Sequence, residues 1–200
     1  MSNDIFVIGL TGKTGAGKST IAEKLKAFGC YIIDADVLAR NVTEKGSPAL
    51  KELADAFGND IIDSDGELKR KLLAQRAFSD KEATEILNRI THPHIKSLFK
   101  SEIQKATELG YTVAVIDAAA LLESECRSLC QKIVVVTAPL DIRLERILRR
   151  DGITLEQAMT RINAQKSDEY YCSNADIIIR NYPPYDCDEN EFSPLKELTQ

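Results

Sequence analysis

The chain has 200 residues, of which 44% are hydrophobic and 28% charged, enough for one globular domain with a full core. Its net charge of -5 and pI near 5.2 argue against a nucleic-acid-binding surface, which needs clustered Lys and Arg, but leave room for a small phosphorylated ligand. The first four residues lack the features of a signal peptide, and no apolar run is as long as a membrane span, so we expect a cytoplasmic protein without a membrane partner. The five cysteines, an odd number without a C-x-x-C pair, indicate neither a disulfide framework nor a zinc site.

The first chemical motif in the chain follows an apolar run at residues 5–10. It reads Gly12-Lys13-Thr14-Gly15-Ala16-Gly17-Lys18-Ser19 and fits the P-loop pattern G-x-x-x-x-G-K-[ST]. The glycines let backbone N–H groups converge on phosphate oxygens, Lys18 can follow the β and γ phosphates, and the Ser19 hydroxyl can bind Mg²⁺. We therefore predict a purine-nucleotide site whose members are Gly12, Gly15, Ala16, Gly17, Lys18, Ser19 and Thr20.

The order of the other elements predicts an α/β fold. After the motif, Ile21, Leu25 and Phe28 fall at helical spacing and Gly29 stands at the C-cap position, so the helix N-terminus faces the phosphates. Five runs rich in β-branched residues predict buried parallel strands at 5–10, 30–34, 112–117, 132–137 and 176–180. Ligands of such sheets gather at the carboxyl ends of the strands, where the sequence places Gly12, Asp36 and Asp117.

Two long insertions separate these strands. Residues 35–111 predict an inserted helical subdomain with helices at 49–57, 68–78 and 81–90, and we expect Pro93 to end one helix and permit the next to start. The neighbouring His92 and His94 are interpreted as structural or close to the substrate rather than catalytic. In the second insertion, residues 141–174, Thr154 and Gln157 predict a capping box. The tail after residue 181 predicts irregular chain before at most one short helix.

Three arginines in the second insertion recur at spacings of three and four, which would place them on one stripe of a helix: Arg143, Arg146 and Arg150. Such a stripe can simply be a solvated basic face. An enzyme that moves a γ-phosphoryl group, however, must neutralise charge on its equatorial oxygens. Because of the P-loop we select Arg146 and Arg150, with Arg161 and Lys166 as weaker candidates.

Acidic residues follow two of the predicted strands. In Asp34-Ala35-Asp36, a carboxylate can orient an acceptor hydroxyl and take its proton, and we select Asp36 for this role. Alternatively, Asp36 caps a helix that begins at Val37, and the two roles can also fall to different members of the pair. Asp117 can hold a Mg²⁺-bound water as a Walker B acid does, or be a turn residue.

The sequence resembles the dephospho-coenzyme A kinase family. The matching phrases run in the family's order along nearly the whole chain: Gly9 through Thr20, Ile32-Ile33-Asp34-Ala35-Asp36, Gly46-Ser47-Pro48-Ala49-Leu50, Asp65-Gly66-Glu67-Leu68, His92-Pro93, Arg146 to Asp151, and Asn174-Ala175-Asp176 with Asn181. The resemblance implies ATP- and Mg²⁺-dependent phosphorylation of the ribose 3′-hydroxyl of dephospho-coenzyme A. It also makes Asp36 the base and Arg146 and Arg150 lid arginines.

The resemblance further implies one P-loop kinase domain over residues 1–200, built on a parallel five-stranded sheet flanked by helices. Its core would be 1–36, 112–140 and 173–182, its helical substrate subdomain 37–111, and its helical lid 141–172. The chain departs from the family at Lys13, where Gly is usual, and at Ala119-Ala120, which replace Pro-Leu.

Two other functions stay open at this point. The acceptor assignment rests on the resemblance alone, so another small-acceptor P-loop kinase, acting on a nucleoside, a nucleoside monophosphate or a small alcohol, fits the same strand order. A nucleotide-gated switch is a different class of protein. A switch driven by GTP would usually carry a base-reading N-K-x-D motif, which this sequence lacks.

Overall fold

The structure is a computed structural model and describes residues 5–183. A five-stranded parallel sheet forms its centre, with the strand order β2-β3-β1-β4-β5. The strands are β1 Phe6–Gly12, β2 Tyr31–Asp34, β3 Val113–Asp117, β4 Lys132–Thr137 and β5 Ile177–Arg180. All five strands predicted from the sequence, and the α/β fold class, are therefore confirmed.

Strand register fixes where the carboxyl ends lie. In the central strand β1, Leu10 stands opposite Asp117 of β3, and Gly12 stands opposite Val136 of β4. Ile8 and Leu10 are fully buried, as the continuous apolar runs of a sheet covered on both faces require. Gly12 and Asp117 thus share one edge of the sheet.

Eight α-helices connect and cover the strands in the part of the chain that the structure describes. They are α1 Lys18–Ala27, α2 Ala35–Asn41, α3 Pro48–Phe57, α4 Arg70–Ala77, α5 Lys81–Glu108, α6 Leu140–Asp151, α7 Leu155–Asn163 and α8 Asp168–Ser173. Single 3₁₀ turns lie at Asn59–Ile61, Leu121–Glu123 and Glu125–Leu129. The capping box of Thr154 and Gln157 is confirmed, whereas α8 was not predicted. The prediction for the tail, irregular chain before at most one short helix, falls beyond residue 183 and so lies outside the described residues.

The described residues form two compact units. The sheet unit comprises the residues up to Ile33 and from Ile103 onward, and the helical unit is Asp34–Glu102. The helical unit has its own apolar cluster, in which Leu53, Ile61 and Ala77 are fully buried. Ser47 begins α3 by accepting a hydrogen bond from Leu50 N–H, with Pro48 at the first helical position, where its missing N–H has no consequence.

The prediction that Pro93 ends a helix is wrong, because Pro93 lies inside α5, a continuous helix of 28 residues. An interior proline removes one helical hydrogen bond and its ring crowds the carbonyl of residue i−4, which costs about 3 kcal/mol, but its fixed φ is close to the helical value, so the helix is weakened and not forbidden. Packing on both sides supplies compensation. Leu87 and Ile90 pack against the helical unit's cluster before the proline, and Phe99 is buried after it.

None of the helices between residues 5 and 183 combines the length and the apolar composition that a membrane span requires.

Candidate phosphate-binding site

The predicted P-loop is a tight loop between β1 and α1. Ala16 N–H donates to the Lys13 carbonyl at 3.0 Å and closes the turn. Gly15 and Gly17 have φ values of 79° and 90°, in the left-handed region that favours glycine. Space is also restricted, since a Cβ on Gly15 would lie 2.6 Å from the Arg143 carbonyl oxygen and one on Gly17 would collide with Asn181 Nδ2. These two glycines are required by conformation and by packing.

The carbonyl side of the loop is held by two distant side chains. Arg146 Nη1 donates to the carbonyls of Gly15 at 3.3 Å and Ala16 at 3.2 Å. Asn181, which is buried, donates through Nδ2 to the carbonyls of Ala16 at 3.0 Å and Gly17 at 3.4 Å. Arg146 Nη2 also donates to the Asn181 carbonyl at 2.8 Å. The carbonyl groups of Gly15, Ala16 and Gly17 therefore accept hydrogen bonds from side chains of the protein itself.

The N–H side of the loop is left available. Among residues 5–183, the backbone N–H groups of Gly15, Gly17, Lys18 and Ser19 find no acceptor. Lys18 and Ser19 open the ten-residue helix α1, whose N-terminus carries the positive end of the helix dipole. Consecutive free N–H groups at such an end form a concave donor set for an anion with several oxygens.

Lys18 lies beside the carboxylate at the end of β3. Its Nζ pairs with Asp117 Oδ1, and both side chains are largely buried. The carboxylate of Asp117 and the exposed hydroxyl of Ser19 are hard oxygen donors, the type that Mg²⁺ prefers. The sheet unit thus brings together the P-loop residues, Lys18, Asp117 and Arg146.

The arginine stripe on α6 divides into three different environments. Arg143 is buried, Arg146 holds the loop, and Arg150 is mainly exposed and bonds to Asp151 through Nε at 2.7 Å and Nη2 at 3.0 Å. Arg161 donates to the same carboxylate at 2.8 Å. The hydrogen bond from Arg150 and the charges of the two arginines lower the pKa of Asp151. Arg150 and Arg161 are therefore not gathered at the loop, and Lys166 is exposed.

In the helical unit, the two members of Asp34-Ala35-Asp36 have different surroundings. Asp34 is the N-cap of α2, and its Oδ1 accepts from Asp36 N–H at 2.9 Å and Val37 N–H at 3.0 Å. The alternative that Asp36 caps the helix is wrong, because the helix begins two residues earlier than that reading needs. Asp36 lies in the first turn with an exposed side chain that makes no hydrogen bond or ion pair within residues 5–183. His94, interpreted from sequence as structural or close to substrate, contacts Glu52 Oε1 at 3.0 Å.

The sequence analysis assigned no role to several residues that surround the loop. Asn181 directly follows β5, so the same strand-end logic that selected Asp117 would have found it. Gln165, which accepts from Thr14 N–H at 2.9 Å, carries no such signal. Lys13 was noted only as a departure, and its partner Asp168, 3.1 Å from Nζ, lies far away in the sequence.

Comparison with known families gives one match over nearly the whole chain. A family model described as dephospho-CoA kinase matches residues 6–184. A protein named dephospho-CoA kinase from Oryza sativa subsp. japonica is 40% identical over 189 residues, which are 94% of this chain and 82% of the relative. One of the same name from Corynebacterium diphtheriae is 42% identical over 175 residues, 88% of each chain.

Solved structures agree with the sequence relatives. A protein from Thermus thermophilus superposes with a TM-score of 0.79 at 28% identity, covering 98% of this chain and 99% of the other. The dephospho-CoA kinase from Campylobacter jejuni superposes with a TM-score of 0.68 at 26% identity, covering 100% and 98%. The likeness thus extends over nearly the whole length of each pair of chains.

Proposed function

Because this chain belongs to the dephospho-CoA kinase family, and is therefore an enzyme of the last step of coenzyme A synthesis, we propose that it transfers the γ-phosphoryl group of ATP to the ribose 3′-hydroxyl of dephospho-CoA. The products are coenzyme A and ADP. We further propose a cytoplasmic enzyme that acts on small molecules, with no nucleic-acid or membrane partner.

One observation carries the nucleotide part of this proposal. The loop has its carbonyls bonded to Arg146 and Asn181, while four of its N–H groups have no acceptor among residues 5–183. A loop held in this way presents donors whose directions are fixed before a phosphate binds, so little reorganisation opposes binding. The N–H groups of Gly15, Gly17, Lys18 and Ser19 would bind the phosphates, with Gly12, Ala16 and Thr20 completing the loop.

The charges at the loop have separate roles. Lys18 would exchange the Asp117 carboxylate for the β and γ phosphates, because a polyphosphate offers it more negative charge. Ser19 and, through water, Asp117 would hold Mg²⁺, which supplies charge neutralisation at the transferring phosphoryl group.

The transfer itself needs a base and stabilisation of developing charge. Asp36 would accept the proton of the 3′-hydroxyl while the hydroxyl oxygen forms the new bond to phosphorus and the bond to the ADP oxygen breaks. Its carboxylate is not used as a cap, so it can take this role without loss of the α2 turn. Arg146 and Arg150 would neutralise charge on the equatorial oxygens, which for Arg150 requires leaving Asp151.

The division of labour along the chain is also a proposal. Residues 1–36, 112–140 and 173–182 would form the nucleotide-binding core of a single domain. Residues 37–111 would bind the acceptor. Residues 141–172, which contain α6 and α7, would form a lid that carries the arginines.

A phosphoryl-transfer assay across an acceptor panel tests the function. Purified protein is incubated with Mg²⁺ and ATP plus dephospho-CoA, AMP, nucleosides or shikimate, and ADP release is followed with chromatographic identification of the product. We expect turnover with dephospho-CoA, loss of turnover with excess EDTA, and a product that carries the new phosphate at the 3′ position. Preferred phosphorylation of another acceptor would favour the alternative kinase, and acceptor-independent slow hydrolysis would favour a switch.

A further inference from the structure

The outer rim of the phosphate-binding loop, Lys13 and Thr14, is held by the turn between α7 and α8 and by the first residue of α8. Thr14 N–H donates to Gln165 Oε1 at 2.9 Å, and Lys13 Nζ lies 3.1 Å from Asp168 Oδ1. All four residues belong to the sheet unit. The rim therefore carries an ammonium group in addition to that of Lys18, and its partner is a carboxylate of a different element.

The charges around Asp168 do not balance. Its carboxylate faces Lys13 and, at 3.9 Å through Oδ2, Arg143 Nη2, so two cations share one carboxylate. The Arg143 side chain is only 3% exposed, and its Nε and Nη1 find no hydrogen-bond partner among the described residues. Buried charge is stable only when it is compensated, so this corner of the loop favours a further anion.

Lys13 is in a position to supply charge to a ligand of the loop. Its carbonyl accepts from Ala16 N–H, so it lies within one turn of the available N–H groups of Gly15 and Gly17. Its side chain is 11% exposed while that of Asp168 is 68% exposed, and an ion pair with so exposed a partner contributes little. A nucleotide polyphosphate carries several negative charges against the single charge of the carboxylate.

We propose that Lys13 is a second cation for the nucleotide phosphates and that Asp168 competes with those phosphates for it. This inference rests on the proposed function, since it takes the loop to bind ATP. Lys13 would exchange one anion for another, as proposed for Lys18 and Asp117, but at the rim of the loop. Asp168 would thereby weaken nucleotide binding rather than support it, which sets the proposal apart from a purely structural ion pair.

Isothermal titration of Mg²⁺-ATP into five proteins tests the exchange: wild type, Lys13→Gln, Asp168→Asn, the double variant and Lys26→Gln. Lys26 is an exposed lysine in the last turn of α1 and controls for the loss of one positive charge. We expect Lys13→Gln to raise the Kd about five- to tenfold and Asp168→Asn to lower it about two- to fivefold. In the Lys13→Gln background, Asp168→Asn should change the Kd by less than about twofold.

The sign of the Asp168→Asn effect decides the question. A raised Kd in that variant would show that the pair only supports the loop, and a Lys13→Gln Kd equal to that of Lys26→Gln would remove Lys13 from the site. Because Asp168 also neighbours Arg143, thermal unfolding of each variant is recorded. If Asp168→Asn does not fold, Asp168→Ser decides by the same sign, since serine also removes the negative charge that competes for Lys13.

Failure of the proposed function gives a different result. Wild-type protein that does not bind ATP, or Lys18→Ala that binds ATP as tightly as wild type, would contradict nucleotide binding at the loop. Binding that depends on Lys18 but is indifferent to Lys13 would overturn the present inference alone.

Discussion

The phosphate-binding loop and the turn that opens α2 obtain their shapes in opposite ways. The loop is held by side chains distant in sequence: Asn181 lies 165 positions and Arg146 lies 130 positions after Ala16. The turn is held by Asp34, which bonds to backbone groups two and three residues away. A loop shaped by distant contacts can be damaged from many positions. A turn shaped locally allows one of its carboxylates to be changed while the other keeps the fold.

Lys18→Ala should have the largest effect on activity. The substitution removes the ammonium that neutralises the β and γ phosphates, and we expect kcat to fall about 10⁴-fold or more. Circular dichroism should remain that of wild type, because Lys18 lies at the start of α1 and contributes no core contact. Lys26→Ala in the same helix is the control and should retain activity. A folded Lys18→Ala protein with normal turnover would contradict the role.

Asp36→Asn should separate chemistry from structure in the α2 turn. Asn cannot accept the 3′-hydroxyl proton, so kcat should fall by about 10² to 10⁴, while calorimetry should show unchanged binding of ATP and dephospho-CoA. Asp34→Asn is the matched control, since Asn also caps helices, and it should retain turnover. If Asp34→Asn were inactive and Asp36→Asn active, the base would be Asp34.

Arg150 is held by its neighbour in the sequence, Asp151, much as Asp34 is held within the α2 turn. Arg150→Ala tests whether such a locally held side chain also acts on the nucleotide. If Arg150 engages as charge develops in the transition state, kcat should fall about ten- to hundredfold with a smaller rise in the KM for ATP. Arg149→Ala, an exposed neighbour on α6, controls for the loss of charge. An unchanged kcat with a raised KM would make Arg150 a ground-state contact.

Asn181→Ala should damage the loop from a distance. The Gly17 carbonyl loses its side-chain donor and the Ala16 carbonyl keeps only the one from Arg146, which we expect to reduce the free energy of unfolding by about 1–3 kcal/mol. The KM for ATP should rise about tenfold because the loop is no longer held, with a smaller change in kcat. Asn163→Ala, at an exposed position, should change neither quantity. Urea unfolding and steady-state kinetics measure both, and wild-type behaviour of Asn181→Ala would show that Arg146 alone holds the loop.

The smallest expected effect is on thermal stability at acid pH. Because Arg150 and Arg161 lower the pKa of Asp151, the ionised carboxylate contributes stability above its unfolded pKa, about 3.9, and this contribution is lost as pH falls through the lower folded value. The Tm of Asp151→Asn should therefore lie below that of wild type at pH 7, and the gap should close toward pH 2. A gap that persists in acid would mean that Asp151 acts through its shape rather than its charge.

Sequence reasoning succeeded where a residue's neighbours lie close along the chain. The P-loop, the Thr154 capping box and the five strands all follow from local pattern, and the register of parallel strands then places Asp117 at the same edge as Gly12. It failed where the outcome depends on packing. Nothing near Pro93 indicates that buried residues on both sides keep α5 continuous, and nothing near Gln165 or Asp168 indicates that they contact the loop.

The bonds from Arg146 and Asn181 to the loop carbonyls also bear on the speed of nucleotide capture. Fixing the backbone of one residue costs about 1–2 kcal/mol of conformational entropy, and here that ordering is already part of folding. An incoming nucleotide then needs no slow rearrangement of the loop backbone before it binds. We expect the observed association rate in stopped-flow experiments to rise linearly with nucleotide concentration, without the plateau that a preceding conformational step would impose.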